Sequence, residues 1–141
     1  MIRTFRAGDE DGLFALVGQL GHYLPLERSA FDATVAAYLA GEHPSAIVYV
    51  AEDGDAQLVG YVLMTVVPLL STNGPSAQLQ EIVVSESARG ADWGTRLVRA
   101  VEEECVARGV MQLTVAARRA GGFYDRLGYH ESAEYMRRFF G

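Results

Sequence analysis

Leu13, Leu16, Val17 and Leu20 recur at the three- and four-residue spacing of one helix face, between the acidic run Asp9-Glu10-Asp11 and Gly21. Acids at a helix start complement its dipole and a glycine closes it, so this pattern predicts a first helix. Leu24-Pro25 turns the chain, and residues Arg28 to Leu39 predict a second helix ended by Gly41. The period then changes. Ala46-Ile47-Val48-Tyr49-Val50-Ala51 is β-rich, Glu52-Asp53-Gly54-Asp55 is turn chemistry, and Leu58 to Val67 is β-rich again, which together predict a hairpin. A Ser/Thr/Asn/Gly/Pro loop at residues 71–75 precedes a third β run from Ala77 to Val84.

A long amphipathic helix is predicted from Trp93 to Arg108, stopped by Gly109. Met111 to Val115 predicts a strand, Ala120 to Leu127 a short helix stopped by Gly128, and Tyr135 to Phe140 a last strand. With Ile2 to Phe5 as an opening strand, the order is β-α-α-β-β-β-α-β-α-β. That order implies a mixed α/β fold, a sheet flanked by helices, with the long crossover helix joining neighbouring parallel strands. No repeat, low-complexity tract or linker interrupts the 141 residues, so a single domain over 1–141 is expected.

Charge and composition narrow the partners. A net charge of −6 repels phosphate backbones, so no nucleic-acid partner is expected. No stretch approaches the roughly 18 apolar residues of a membrane span, and residues 1–6 lack the apolar core of a secretory signal. The expectation is a cytoplasmic protein with no membrane partner. The one cysteine, Cys105, falls on a helix face with Leu97 and Val101 and reads as a core residue. His22, His43 and His130 lack metal-ligand spacing, so no metal is expected.

One segment carries chemistry. From Ile82 to Leu97 the chain runs strand, glycine-containing turn, helix, with Gly90 and Gly94 in the turn and Arg89 and Arg96 beside it. The first N–H groups of a helix have no intrahelical partner and sit at the positive end of its dipole, so such a turn can hold an anion. By itself the arrangement is more often a plain connection than a phosphate site.

The segment resembles the acetyl-coenzyme A loop of the GNAT acetyltransferase superfamily, Gln/Arg-x-x-Gly-x-Gly/Ala. Arg89 and Gly94 match its first and last positions; Asp92 stands at the middle glycine and Trp93 at a usually small aliphatic. A second stretch, Ala120-Gly121-Gly122-Phe123-Tyr124-Asp125-Arg126-Leu127-Gly128-Tyr129, resembles the family's Ala-x-x-Phe-Tyr-x-x-x-Gly-Phe. The resemblance implies the GNAT fold, a mostly antiparallel mixed sheet whose fourth and fifth strands are parallel and splayed. It implies transfer of an acetyl group from acetyl-CoA directly to a primary amine of a small molecule or peptide, with no acyl-enzyme.

The family roles then fall on particular residues. The resemblance implies that Ile82, Val83 and Val84 pair with the pantetheine arm and that the Val84 N–H faces the oxyanion. Backbone from Arg89 through Gly90, Ala91, Asp92, Trp93 and Gly94 to Thr95 would hold the pyrophosphate. Tyr124 would protonate the leaving thiolate, a role suited to a phenol. Many relatives carry Glu where Gln80 stands, and Gln80 cannot take a proton. Glu81 can, although strict alternation turns it to the opposite face, so either Glu81 works through a water or the amine arrives deprotonated. His22 and Tyr23 lie where relatives line the acceptor site, and Arg118 and Arg119 are candidates for the 3′-phosphate. Asp92 reads as a helix cap accepting from Gly94 or Thr95. Its charge also leaves a second reading open, a GNAT-like module with weakened donor binding. The acceptor is not identified by the sequence, and a homodimer through the final strand is a possibility.

Overall fold

The computed structural model describes residues 1–21, 24–117 and 122–140. Five strands form one sheet in the order β1-β2-β3-β4-β5: β1 (Ile2–Thr4), β2 (Ala46–Glu52), β3 (Leu58–Val67), β4 (Ser76–Val84) and β5 (Gln112–Val115). The first four pair antiparallel and β4 pairs β5 parallel. The parallel pair needs a long crossover, and α3 (Trp93–Ala107) supplies it. Helices α1 (Glu10–Val17) and α2 (Arg28–Leu39) cover the other face, and α4 (Phe123–Arg126) follows β5. No described helix is long and apolar enough to cross a membrane.

Strand alternation sorts the core into two layers. On the α3 face Val62, Met64 and Leu79 meet Leu97, Val98, Val101 and Cys105, all buried. Complete burial of an aliphatic side chain contributes about 1.5–3 kcal/mol, so these positions dominate that layer. On the other face Phe5, Val50, Tyr61 and Val83 meet Leu13, Leu16 and Val35. Gly60 lets α3 come close to β3: a β-carbon there would lie 2.9 Å from the Val83 carbonyl oxygen and 3.2 Å from Leu97 Cδ1.

The hairpin, the third β run and the crossover helix occur where the pattern places them, and Cys105 is buried. The first helix stops at Val17, short of Gly21. The last expected strand is absent: residues 131–140 form no regular element and lie exposed. A strand is held by a paired neighbour, and this tail does not join the sheet, whose order ends at β5.

Candidate active site

The decisive irregularity is in β4. In its pairing with β3, Leu63 faces Glu81 but Met64 faces Leu79, so Gln80 is an extra residue, a β-bulge. The bulge resets the alternation. Leu79 and Ile82 both turn to the α3 side, while Glu81 and Val83 turn to the α1/α2 side. Gln80 accepts from the Gln78 amide and donates to Thr65 Oγ1, and Glu81 Oε1 accepts from the Tyr61 hydroxyl at 2.9 Å. Tyr61 and Thr65 share a face of β3, so Gln80 and Glu81 lie on one face, contrary to the expectation from strict alternation.

Immediately beyond the bulge the sheet opens. The parallel ladder ends at Leu79↔Val115, while β4 continues to Val84. Ser85 N donates to Val59 O at 2.7 Å, next to the Gly60↔Val84 pair. Antiparallel pairs alternate between hydrogen-bonded and non-bonded, which turns the peptide groups of Ile82 and Val84 away from β3, toward the side β5 has left. Val83, between them, is committed to Tyr61. Thus two of the three expected backbone positions present free peptide edges to the opening, and the third does not.

The turn after β4 closes this opening from one end. A short 3₁₀ turn, Glu86–Ala88, leads to Arg89 and Gly90, both exposed, with Gly90 at φ +96°. Ala91 is exposed as well. Asp92 then adopts the left-handed conformation at φ 62°, and its side chain makes no cap hydrogen bond. The expected Asp92 cap is therefore absent, because a cap residue needs extended backbone to fold its carboxylate over the first turn. The mismatch with the glycine pattern has its reason here: the position requires positive φ, and aspartate is among the few side chains that enter that region.

The first helical bond after the turn runs from Arg96 N to Asp92 O, so the N–H groups of Trp93, Gly94 and Thr95 precede the ladder and remain for a ligand. Arg96 stacks its guanidinium 4.2 Å above the Trp93 ring.

Three elements converge on Gly94. A β-carbon there would lie 3.5 Å from the Phe123 ring and 3.7 Å from Val84 Cγ2, so the end of β4, the start of α3 and α4 meet at one point. Tyr124, next in α4, is buried with Leu97, Val98 and Val101 in the same layer. Its ring stands edge-on to Phe123 and to Tyr129, with centroids 5.0 and 5.7 Å away. Burial raises the Tyr124 phenol above its ordinary value, so it carries its proton at neutral pH. Tyr129 anchors the segment by donating to Glu102 on α3.

A family model described as the acetyltransferase (GNAT) domain matches residues 44–131, the stretch that holds all of these elements. The chain belongs to the GNAT acetyltransferase family. Glucosamine 6-phosphate N-acetyltransferase 1 of Oryza sativa subsp. japonica is 30% identical over 135 residues, covering 92% of this chain and 79% of the relative. Among solved structures, glucosamine-6-phosphate N-acetyltransferase from Arabidopsis thaliana superposes with a TM-score of 0.86 at 19% identity, covering 100% of this chain and 98% of that one. A protein titled transcriptional regulator from Bacillus halodurans C-125 superposes with a TM-score of 0.85 at 24% identity, covering 99% of each chain. At those identities the two structures attest the GNAT fold alone.

Within this GNAT frame, Ile82, Val84 and Gly94 are gathered around the opening in the sheet, and Tyr124 lies in the α3 layer next to Phe123, which touches Gly94. Glu81 lies on the opposite face of β4, toward α1 and α2, with Tyr61. His22 and Tyr23, expected at the acceptor side, and Arg118 and Arg119 fall outside the described residues. The Tyr61–Glu81 pair was not anticipated from the sequence; the signal available for it was the unbroken run Leu79-Gln80-Glu81-Ile82, whose apolar residues are three apart where a regular strand would place them two apart. No group of residues able to hold a metal occurs among the described residues.

Proposed function

We propose that this GNAT protein transfers the acetyl group of acetyl-CoA directly to a primary amine of a small molecule. The observation that carries this reading is the meeting of β4's unpaired peptide edges and the uncapped start of α3 around one opening, with Phe123 of α4 against Gly94 and Tyr124 next to it in the chain. Acetyl-CoA fits that set. The peptide edges of Ile82 and Val84 can pair with its amide-bearing arm as a strand would, and the N–H groups of Trp93, Gly94 and Thr95 can receive its pyrophosphate. Arg89, exposed before the turn, adds positive charge at the same place.

The chain's residues then act in order. Glu81 takes a proton from the acceptor's ammonium, directly or through one water. The Val84 N–H receives the negative charge that builds on the acetyl oxygen, the kind of preorganised dipole that contributes most to such reactions. As the carbon–nitrogen bond forms and the carbon–sulfur bond breaks, Tyr124 gives its proton to the sulfur. Two protons leave nitrogen as the ammonium becomes an amide, the first to Glu81 before attack and the second to solvent on collapse. The thiol departs with the Tyr124 proton, which solvent restores; one proton is released in all.

The rice relative's name supplies the first acceptor to try, glucosamine 6-phosphate. Titration with acetyl-CoA in a calorimeter, followed by release of free thiol with that amine and with a lysine peptide, tests the proposal. Micromolar binding and amine-dependent thiol release support it. Absence of binding at millimolar acetyl-CoA overturns it and favours a non-catalytic module, for which the uncapped, negatively charged Asp92 beside the pyrophosphate position is the specific observation.

A further inference from the structure

Tyr61 is almost wholly buried, and its hydroxyl spends its one proton on Glu81. A phenol in an apolar layer needs a partner for that proton, and here the partner comes from a bulged strand rather than from solvent. The bulge at Gln80 makes the contact: a regular β4 would turn position 81 to the α3 side, away from Tyr61. One oxygen of Glu81 is thereby fixed, and the second, Oε2, has no hydrogen-bond partner among the described residues.

The charges around this pair are few. On β3 Tyr61 is the only ionisable side chain, and on β4 Glu81 is. Tyr38 approaches from α2, its phenol raised first by burial and second by the Glu81 carboxylate. The remaining charged residues of α1 and α2 are engaged elsewhere: Arg28 with Asp11 and Asp32, and Glu10 with the Gly8 N–H. No described cation neutralises Glu81. A carboxylate in that setting attracts a cation, and the acceptor amine arrives as one.

The geometry points to Tyr61 as a positioning residue for the reaction: its hydroxyl clamps one Glu81 oxygen so that the other is presented to the acceptor ammonium. This rests on the acetyl-transfer reading above. Tyr61 touches neither substrate, and its whole effect runs through Glu81.

Tyr61→Phe keeps the buried ring, and Glu81→Gln keeps the shape of the side chain. Both variants and the double variant are assayed by thiol release from acetyl-CoA against glucosamine 6-phosphate, spermidine and a lysine peptide, with thermal melts confirming the fold. Tyr61→Phe is expected to lower kcat about tenfold with the acetyl-CoA KM unchanged, the size of one lost hydrogen bond to a charged group. In the Glu81→Gln background the same substitution is expected to do nothing further, since the two act as one unit. A double variant whose loss is the product of the two single losses overturns the inference and leaves Tyr61 a packing residue. Normal turnover in Glu81→Gln overturns it as well, by removing Glu81 from the reaction while leaving acetyl transfer itself standing. If the wild type acetylates none of the three amines, the acetyl-transfer reading falls, and this inference with it.

Discussion

Arg3 and Asp9 are joined by two parallel hydrogen bonds, Nη1 to Oδ2 at 2.8 Å and Nη2 to Oδ1 at 2.9 Å, with both side chains nearly buried. The Arg3 Nε also reaches Glu52 Oε2 at 2.9 Å, so one guanidinium ties β1 to the loop before α1 and to β2. The hydrogen bonds from Arg3, ahead of the opposing effect of burial, hold the Asp9 carboxyl below its ordinary value.

Asp9→Asn should therefore destabilise the fold by about 2–3 kcal/mol at neutral pH, because the guanidinium loses its charged partner. The sign of the pH effect is fixed by the depressed folded value. The stability Asp9 contributes is fully present above the unfolded carboxyl value, about 3.9, and is lost as pH falls through the folded one. Denaturant melts at pH 7 and at pH 3 check this: the gap between wild type and variant should narrow at the lower pH.

Asp92→Gly should act twice. It relieves the left-handed backbone at φ 62°, worth about 1 kcal/mol, and it removes a carboxylate from the proposed pyrophosphate position. The expected outcome is a higher melting temperature together with several-fold tighter acetyl-CoA binding, measured by calorimetry. A tighter complex without the thermal gain would assign the whole effect to charge.

Tyr124→Phe should lower turnover about a hundredfold while leaving acetyl-CoA affinity near wild type, since the ring remains in its layer and only the proton donor is lost. Stopped assays of thiol release beside calorimetry separate the two quantities.

The tail predicts self-association. Tyr135, Met136, Phe139 and Phe140 are exposed, Phe140 at 87%, and β5 is the last strand of the sheet among the described residues. The expected partner is a second copy, the tail of each chain adding a strand to β5 of the other, an exchange that closes as a two-fold dimer. Light scattering should give twice the mass of the chain, and removal of residues 131–140 should give the monomer.

The fold was legible wherever a period ran long enough to be counted. Residues Leu97, Val98, Val101 and Cys105 mark α3's buried face through nearly its whole length, and β2 and β3 follow from dense β-branched runs with turn residues between them. The tail could not be read in the same way. Tyr135 to Phe140 has strand-forming composition, but composition does not say whether a neighbour is in reach. At the candidate site the sequence pointed to Gly94 and Tyr124 through the resemblance, and to Asp92 as an oddity. It placed Glu81 on the face opposite Gln80 and was wrong, because one extra residue inverts everything after it and costs nothing that composition records. The Asp92 cap failed for a related reason: a side chain favoured at caps is also one of the few that tolerates positive φ, and backbone geometry alone decides between the two.

The extra residue at Gln80 divides β4 into two halves that answer to different demands. Upstream of it, Ala77 and Leu79 face the crossover helix, and substitution there is a matter of volume. Downstream, Val83 and Glu81 face the α1/α2 layer while Ile82 and Val84 offer their backbone to the opening. Deleting that single residue would leave Leu79 opposite Met64 and Glu81 opposite Leu63, so both halves would keep their faces and only the local bend and added twist of the bulge would be lost. A one-codon loss at position 80 would thus separate what the bend does from what the facing of Glu81 does.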